Sequence, residues 1–86
     1  MNKVFSDKAW EDYQYWVESD RKILRKINEL LRDIERDPFD GKGKPELLKH
    51  KHKGYWSRRI NDVDRLIYRI YDGHIEVAAC RSHYDD

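Results

Sequence analysis

The stretch RLIYRIYDGHIEVAAC, residues 65–80, decides the fold of this 86-residue chain. Asp72–Gly73 separates two runs rich in β-branched and aromatic residues. A two-residue hairpin of type I′ needs positive φ at both central positions, and Asp–Gly meets that need. Such a turn dictates register: Tyr71 faces His74, Arg69 faces Glu76, Ile67 faces Ala78 and Arg65 faces Cys80. Leu66, Tyr68, Ile70, Ile75, Val77 and Ala79 then form one core-like face, and Arg65, Arg69 and Glu76 lie on the other. Arg69 and Glu76 should pair across the strands, worth about 0.2–1 kcal/mol. Upstream, YWSRRI (55–60) reads as a further strand, joined through NDVD. With the last strand read as 74–84, the C-terminal half is a three-stranded antiparallel meander.

The N-terminal half is helical. KVF at residues 3–5 reads as a short strand. Ser6 can accept a bond from an orphan N–H of the next helical turn. Phe5 and Trp10 occupy the positions of a hydrophobic staple. Trp10, Tyr13, Trp16 and Val17 form a helical stripe that predicts a helix to about Glu18. Asp20 caps a second helix, on which Ile23, Leu24, Ile27, Leu30, Leu31 and Ile34 keep a helical apolar period. Pro38 stops it, because the residue before proline avoids the α region. Two helices with so short a joint make an antiparallel hairpin. The expected fold is one α+β domain over residues 1–86: an N-terminal strand and a helical hairpin packed on one face of a twisted antiparallel sheet.

Composition and charge narrow the function. Charged residues make up 41% of the chain, yet three Trp, six Tyr and two Phe supply large rings for a thin core. A chain this small buries about 60–65% of its unfolded surface, so a partner or a dimer is expected. A single cysteine, Cys80, excludes an internal disulfide. No apolar run is long enough to span a membrane and no signal-peptide pattern opens the chain, so the expected location is the cytoplasm. Net charge is +1, but it is unevenly spread. Residues 42–69 carry nine Lys/Arg against three Asp/Glu, whereas residues 1–41 carry eight against ten and residues 70–86 one against four. A basic block on a nearly neutral molecule points to a localised polyanion site. DPFDGKGKPELLKHKHKG (37–54) reads as a long loop within this block, with a brief extended piece at Leu47–Lys49. Long loops in compact domains are often functional.

Few side chains in this chain can do chemistry. Glu46 is the only carboxylate between Gly41 and Arg59. It can serve as a general base, or as a solvated charge that tempers repulsion among the lysines. His83 can hold and release a proton near neutral pH, or simply be an exposed terminal imidazole. Arg59 and Arg65 offer forks that match phosphate oxygens, or an exposed sheet face. Tyr84 and Trp56 can stack on bases, with a core role the simpler reading for Trp56. Strict alternation sets Tyr84 on the Arg65 face and His83 on the opposite one, so both serve one site only if the strand end bends. HKH (50–52) and CRSH (80–83) offer at most two metal ligands each, short of a closed zinc site. Cys80 reads as a small buried hydrophobe. Neither a metal nor a cofactor is expected. An enzyme built from Glu, His, Arg, Lys and Tyr suits phosphodiester transfer by a 2′-hydroxyl, and hence RNA.

DYQYW, KINELLRDIERDPFDGKGKPELLKH, YWSRRI, RLIY and AACRSHY together resemble the YoeB (Txe) toxins of the RelE/ParE superfamily over nearly the full length. The resemblance implies a RelE-like fold and the toxin of a type II toxin–antitoxin pair. It implies an endoribonuclease that cuts mRNA in the ribosomal A site. The implied partners are a YefM-like antitoxin, the 70S ribosome, a second copy of the chain, and operator DNA through the antitoxin complex alone. Carried over by residue, Glu46 matches the general base, His83 the general acid, Arg65 the phosphate-stabilising arginine and Tyr84 the aromatic that orients substrate. Lys49 and Arg59 match cations lining the site, and Lys44 and Lys51 are added as RNA contacts on the same loop. The rivals are a ParE-like inhibitor of gyrase that does no catalysis, and a plain RNA- or ribosome-binding module. Leu47 stands where the family often has proline. Family members usually end at the His–Tyr pair, whereas Asp85 and Asp86 follow here. Two extra negative charges near an anionic substrate should weaken its binding, so deleting them is expected to raise mRNA cleavage. Cleavage that stays level or falls in the shortened chain negates that expectation.

Overall fold

Ser6 closes one element and opens the next. A computed structural model describes residues 1–82. Strand β1 (Asn2–Phe5) leads into helix α1 (Asp7–Ser19), where the Ser6 hydroxyl accepts the Ala9 amide proton at 3.0 Å. The staple forms as expected, with the Phe5 and Trp10 rings edge to face at 6.1 Å. Asp20 caps helix α2 (Arg21–Arg36) by accepting from the amides of Lys22 and Ile23. The helix ends before Pro38, with Asp37 in an extended conformation.

Four more strands follow among the described residues: β2 (Glu46–Leu47), β3 (Trp56–Arg59), β4 (Arg65–Tyr71) and β5 (His74–Ser82). They form one sheet in the order β1-β5-β4-β3-β2. All pairs are antiparallel except β1 with β5, so the sheet is mixed. The extended piece of the long loop begins one residue earlier than its composition predicts, at Glu46, where it pairs with the edge of β3. Both helices cover one face of the sheet, where Trp16, Ile27, Leu30 and Ile34 meet Leu66, Tyr68, Val77 and Cys80. The buried side of α1 runs through Ala9, Asp12 and Trp16 rather than through Trp10, which is 53% exposed.

The hairpin turn forms as read, with Asp72 at φ 51° and Gly73 at φ 76°. Register holds for Tyr71 with His74 and Arg69 with Glu76, the last pair bonded at 2.6 Å. It then departs from strict alternation. Ile67 stands opposite Ala79 rather than Ala78, and Arg65 opposite Ser82 rather than Cys80. Two irregularities have each taken up one extra residue of β5. As a result Ala78 and Ala79 both join a small apolar cluster with Leu48 and Ile67, apart from the main core, and Cys80 turns inward to that core.

Arg58 is the least ordinary core residue. It has no exposed surface, yet it carries a full charge. Its guanidinium donates to Asp33 Oδ2 at 2.6 Å, to the Tyr68 hydroxyl at 3.0 Å and to the carbonyls of Asp37, Asp40 and Lys42. Tyr68 in turn donates to the Pro38 carbonyl at 2.6 Å. Asp33 is held far below the usual carboxylate range, chiefly by the backbone N–H of Lys42, then by Arg36 and Arg58. Arg58→Met takes the buried guanidinium donor away from Asp33, Tyr68 and the carbonyls of Asp37 and Lys42, and is expected to destabilise the fold by about 3–5 kcal/mol, read from urea unfolding. Because the Asp33 pKa is lowered on folding, its contribution is complete above the unfolded value of about 3.9 and fades as pH falls through the folded one. Asp33→Asn should therefore be less stable than the parent at pH 7 and lose less stability below about pH 4. Parallel acid limbs for the two proteins would contradict the assignment.

Candidate active site

The turn after α2 aims the basic loop. Gly43 takes φ 80°, and its carbonyl accepts the Arg59 amide at 2.6 Å. A Cβ here would lie 3.0 Å from the Arg59 carbonyl, so the close approach needs glycine. Lys44 follows in the left-handed region, at φ 52°. That conformation costs a side-chain-bearing residue about 1–2 kcal/mol and is often found at functional sites. Pro45 then delivers Glu46 to the edge of the sheet, directly opposite Ser57.

Cross-strand partners share a face, and so do residues two apart on a strand. Glu46 pairs with Ser57, Arg59 lies two positions on, and Arg59 pairs with Arg65. All four therefore stand on the side of the sheet away from the helices, while Arg58 and Ile60 of the same segment point into the core. Lys44, Glu46, Ser57, Arg59 and Arg65 line a cleft of about 50 Å³ there. Three cations around one carboxylate make a strongly anion-attracting concavity. Arg65 is oriented from behind: Nη1 donates to the carbonyls of Asn61 at 3.0 Å and Asp64 at 3.2 Å. Those carbonyls belong to a turn closed by Asn61, whose side-chain oxygen accepts from the amides of Val63 and Asp64.

Of the residues predicted from sequence, Lys44, Glu46, Arg59 and Arg65 come together in this cleft. Lys49 and Lys51 are exposed on the segment after β2. Trp56 packs beneath the sheet against the main core. His83 and Tyr84, like Asp85 and Asp86, lie outside the described residues. The last described residue, Ser82, stands opposite Arg65. Ser57 is a lining residue that sequence reading passed over. It is 3% exposed and central to the cleft, but a lone strand serine carries no signal until its neighbours are known.

Burial pushes the Cys80 thiol up to about 12, which suits an inert core side chain.

Comparison with known proteins places this arrangement. The family described as "YoeB-like toxin of bacterial type II toxin-antitoxin system" matches residues 5–84. Toxin YoeB of Escherichia coli K12 is 52% identical over 84 residues, covering 98% of this chain and all of the relative. A solved YoeB/ParE toxin from Agrobacterium tumefaciens superposes with a TM-score of 0.94 at 44% identity, over 98% of this chain and 100% of that one. The YoeB dimer from Staphylococcus aureus gives 0.91 at 49% identity over 98% of each chain. The YoeB–YefM complex from the same organism gives 0.90 at 48%, again over 98% of each. This chain therefore belongs to the YoeB-like toxins of bacterial type II toxin–antitoxin systems.

Proposed function

We propose that the toxin is a metal-independent endoribonuclease acting on mRNA in the ribosomal A site. The supporting observation is the cleft in which Glu46 meets Lys44, Arg59 and Arg65 beside the Arg65–Ser82 pair. Glu46 accepts the proton of a ribose 2′-hydroxyl, and the freed oxygen attacks the adjacent phosphorus. Arg65, with Arg59 and Lys44, stabilises the charge that builds on the phosphoryl oxygens. His83 gives a proton to the departing 5′-oxygen as the P–O bond breaks. The products are a 2′,3′-cyclic phosphate and a 5′-hydroxyl, so atoms and charges balance without a co-reactant. Tyr84 stacks on a base next to the scissile bond, and Lys49 and Lys51 contact phosphates further along the strand. Only RNA carries the nucleophile, so DNA is not cut.

A cleft this small does not orient a flexible strand alone. The ribosome supplies that order, turning a loose encounter into a positioned one. The YoeB–YefM complex of a relative 48% identical supports a YefM-like antitoxin as the inhibitor, and the YoeB dimer of S. aureus supports a homodimer. Operator DNA is reached through the antitoxin complex. A cytoplasmic location follows from a ribosomal target.

Induction in bacteria, with new mRNA 3′ ends mapped against reading frames, tests the activity. Cuts phased to codons are expected. Intact mRNA with DNA-damage signalling would favour gyrase inhibition instead, and stalled but uncut mRNA would favour plain binding. Glu46→Ala and His83→Ala should each slow cleavage by about 10²–10⁴-fold while antitoxin capture is retained. Full toxicity in either variant removes that residue from the mechanism.

A further inference from the structure

Strand β5 does not follow the register its own turn sets. A regular ladder from Asp72–Gly73 brings Cys80 opposite Arg65, whereas the structure brings Ser82 there. Bulges leave ladder groups without strand partners, and buried N–H groups need other acceptors. Helix α1 provides them. Asp12 Oδ2 accepts the amide protons of both Cys80, at 3.0 Å, and Arg81, at 3.1 Å. One turn further along the helix, Trp16 Nε1 donates to the Cys80 carbonyl at 2.8 Å. Asp12 is 6% exposed, and Lys8 Nζ lies 2.9 Å from each of its carboxylate oxygens. The Arg81 guanidinium lies over the Tyr15 ring at 3.6 Å, on the helix side of the sheet. Two acceptor bonds and one donor bond thus grip a single bulged peptide pair, one residue before the strand meets Arg65.

A carboxylate inside a protein is retained only where its partners outweigh the cost of desolvation. Replacing the bulge that Asp12 grips by a regular ladder would spare the molecule a buried Asp, but it would also shift the strand end by one residue relative to Arg65 and turn its side chains to the opposite face. At about 3.3–3.4 Å per residue, that shift is about 3 Å. Displacement of a catalytic group by even about 1 Å can cost about 10²-fold in rate.

We infer that Asp12, assisted by Trp16, is a positioning residue for RNA cleavage: it holds β5 in the bulged register that sets Ser82 opposite Arg65, the point from which the chain continues to His83. This inference rests on the nuclease reading. Asp12 touches no substrate and acts through the strand it grips.

The experiment uses the full chain, purified from its antitoxin complex, on mRNA-programmed ribosomes. Asp12→Ala is expected to lower kcat by about 10²-fold with little change in KM. Asp12→Asn keeps one oxygen for the two amides and should recover most of that loss. Trp16→Phe keeps an aromatic side chain but not the indole N–H, and covers the case in which Asp12→Ala fails to fold; its kcat should fall by about tenfold. In a His83→Ala background neither change should slow the reaction further, because the group being positioned is gone. Losses that multiply in that background, or a raised KM with kcat intact, overturn the proposal. Amide exchange at Cys80 and Arg81, measured without substrate, should quicken in Asp12→Ala while α2 stays protected. Unchanged exchange overturns the proposal even if cleavage falls. A wild-type chain that cuts no mRNA sinks the nuclease reading, and the exchange result then decides the grip on β5 separately.

Discussion

A guanidinium with no contact to water organises this toxin. Arg58 cannot lose its proton, and an unpaired charge in the core is far too costly to keep. The chain around it is therefore obliged to bring acceptors. Asp33 comes from α2, Tyr68 from β4, and three carbonyls come from the turn at residues 37–42. That obligation gives a shape to a segment, Asp37 to Lys42, that has no helix or strand of its own. It also joins helix, loop and sheet at one point, so the loop cannot move without leaving the charge unsatisfied. A buried ion pair of this kind is weak evidence for net stability against an apolar substitute. Its value lies in fixing where Gly43 sits, and through Gly43 where Glu46 meets Ser57.

The two faces of the sheet have different tasks. Helices cover one face, and its strands carry Leu66, Tyr68, Val77 and Cys80. The other face carries a small apolar cluster of Leu48, Ile67 and Ala79, with Tyr55 and Ala78 against it, and the polar cleft lies on the same face. Cations gathered on such a face repel one another unless an anion is present. Lys44 in a left-handed conformation and Arg65 tied to two backbone carbonyls hold that gathering in place.

Much of this was legible in the residues, and the reasons for success and failure are physical. Ser6, Asp20 and Asp72–Gly73 were read correctly because caps and tight turns are decided within three or four residues of chain. Glu46 stood out by its isolation among lysines, and the cleft does gather it with Lys44, Arg59 and Arg65. Trp10 was read as part of the buried stripe, yet it lies at the rim with its ring against Phe5; periodicity locates a face but not its centre. Arg58 reads as one more member of a basic block, since its burial depends on acceptors from three other elements. Asp12 is likewise an ordinary helix carboxylate until β5 presents two unpartnered amides to it.

By itself, then, the order of residues determined the secondary elements, the helical hairpin, the meander and the basic character of the loop, because each follows from contacts between near neighbours in the chain. Tertiary structure alone decided the parallel pairing of β1 with β5, the burial of Arg58, and which residue of the last strand stands opposite Arg65. Those outcomes depend on satisfying buried charges and amide groups with partners 10 to about 70 positions away, and no local pattern encodes which distant group will arrive to meet them.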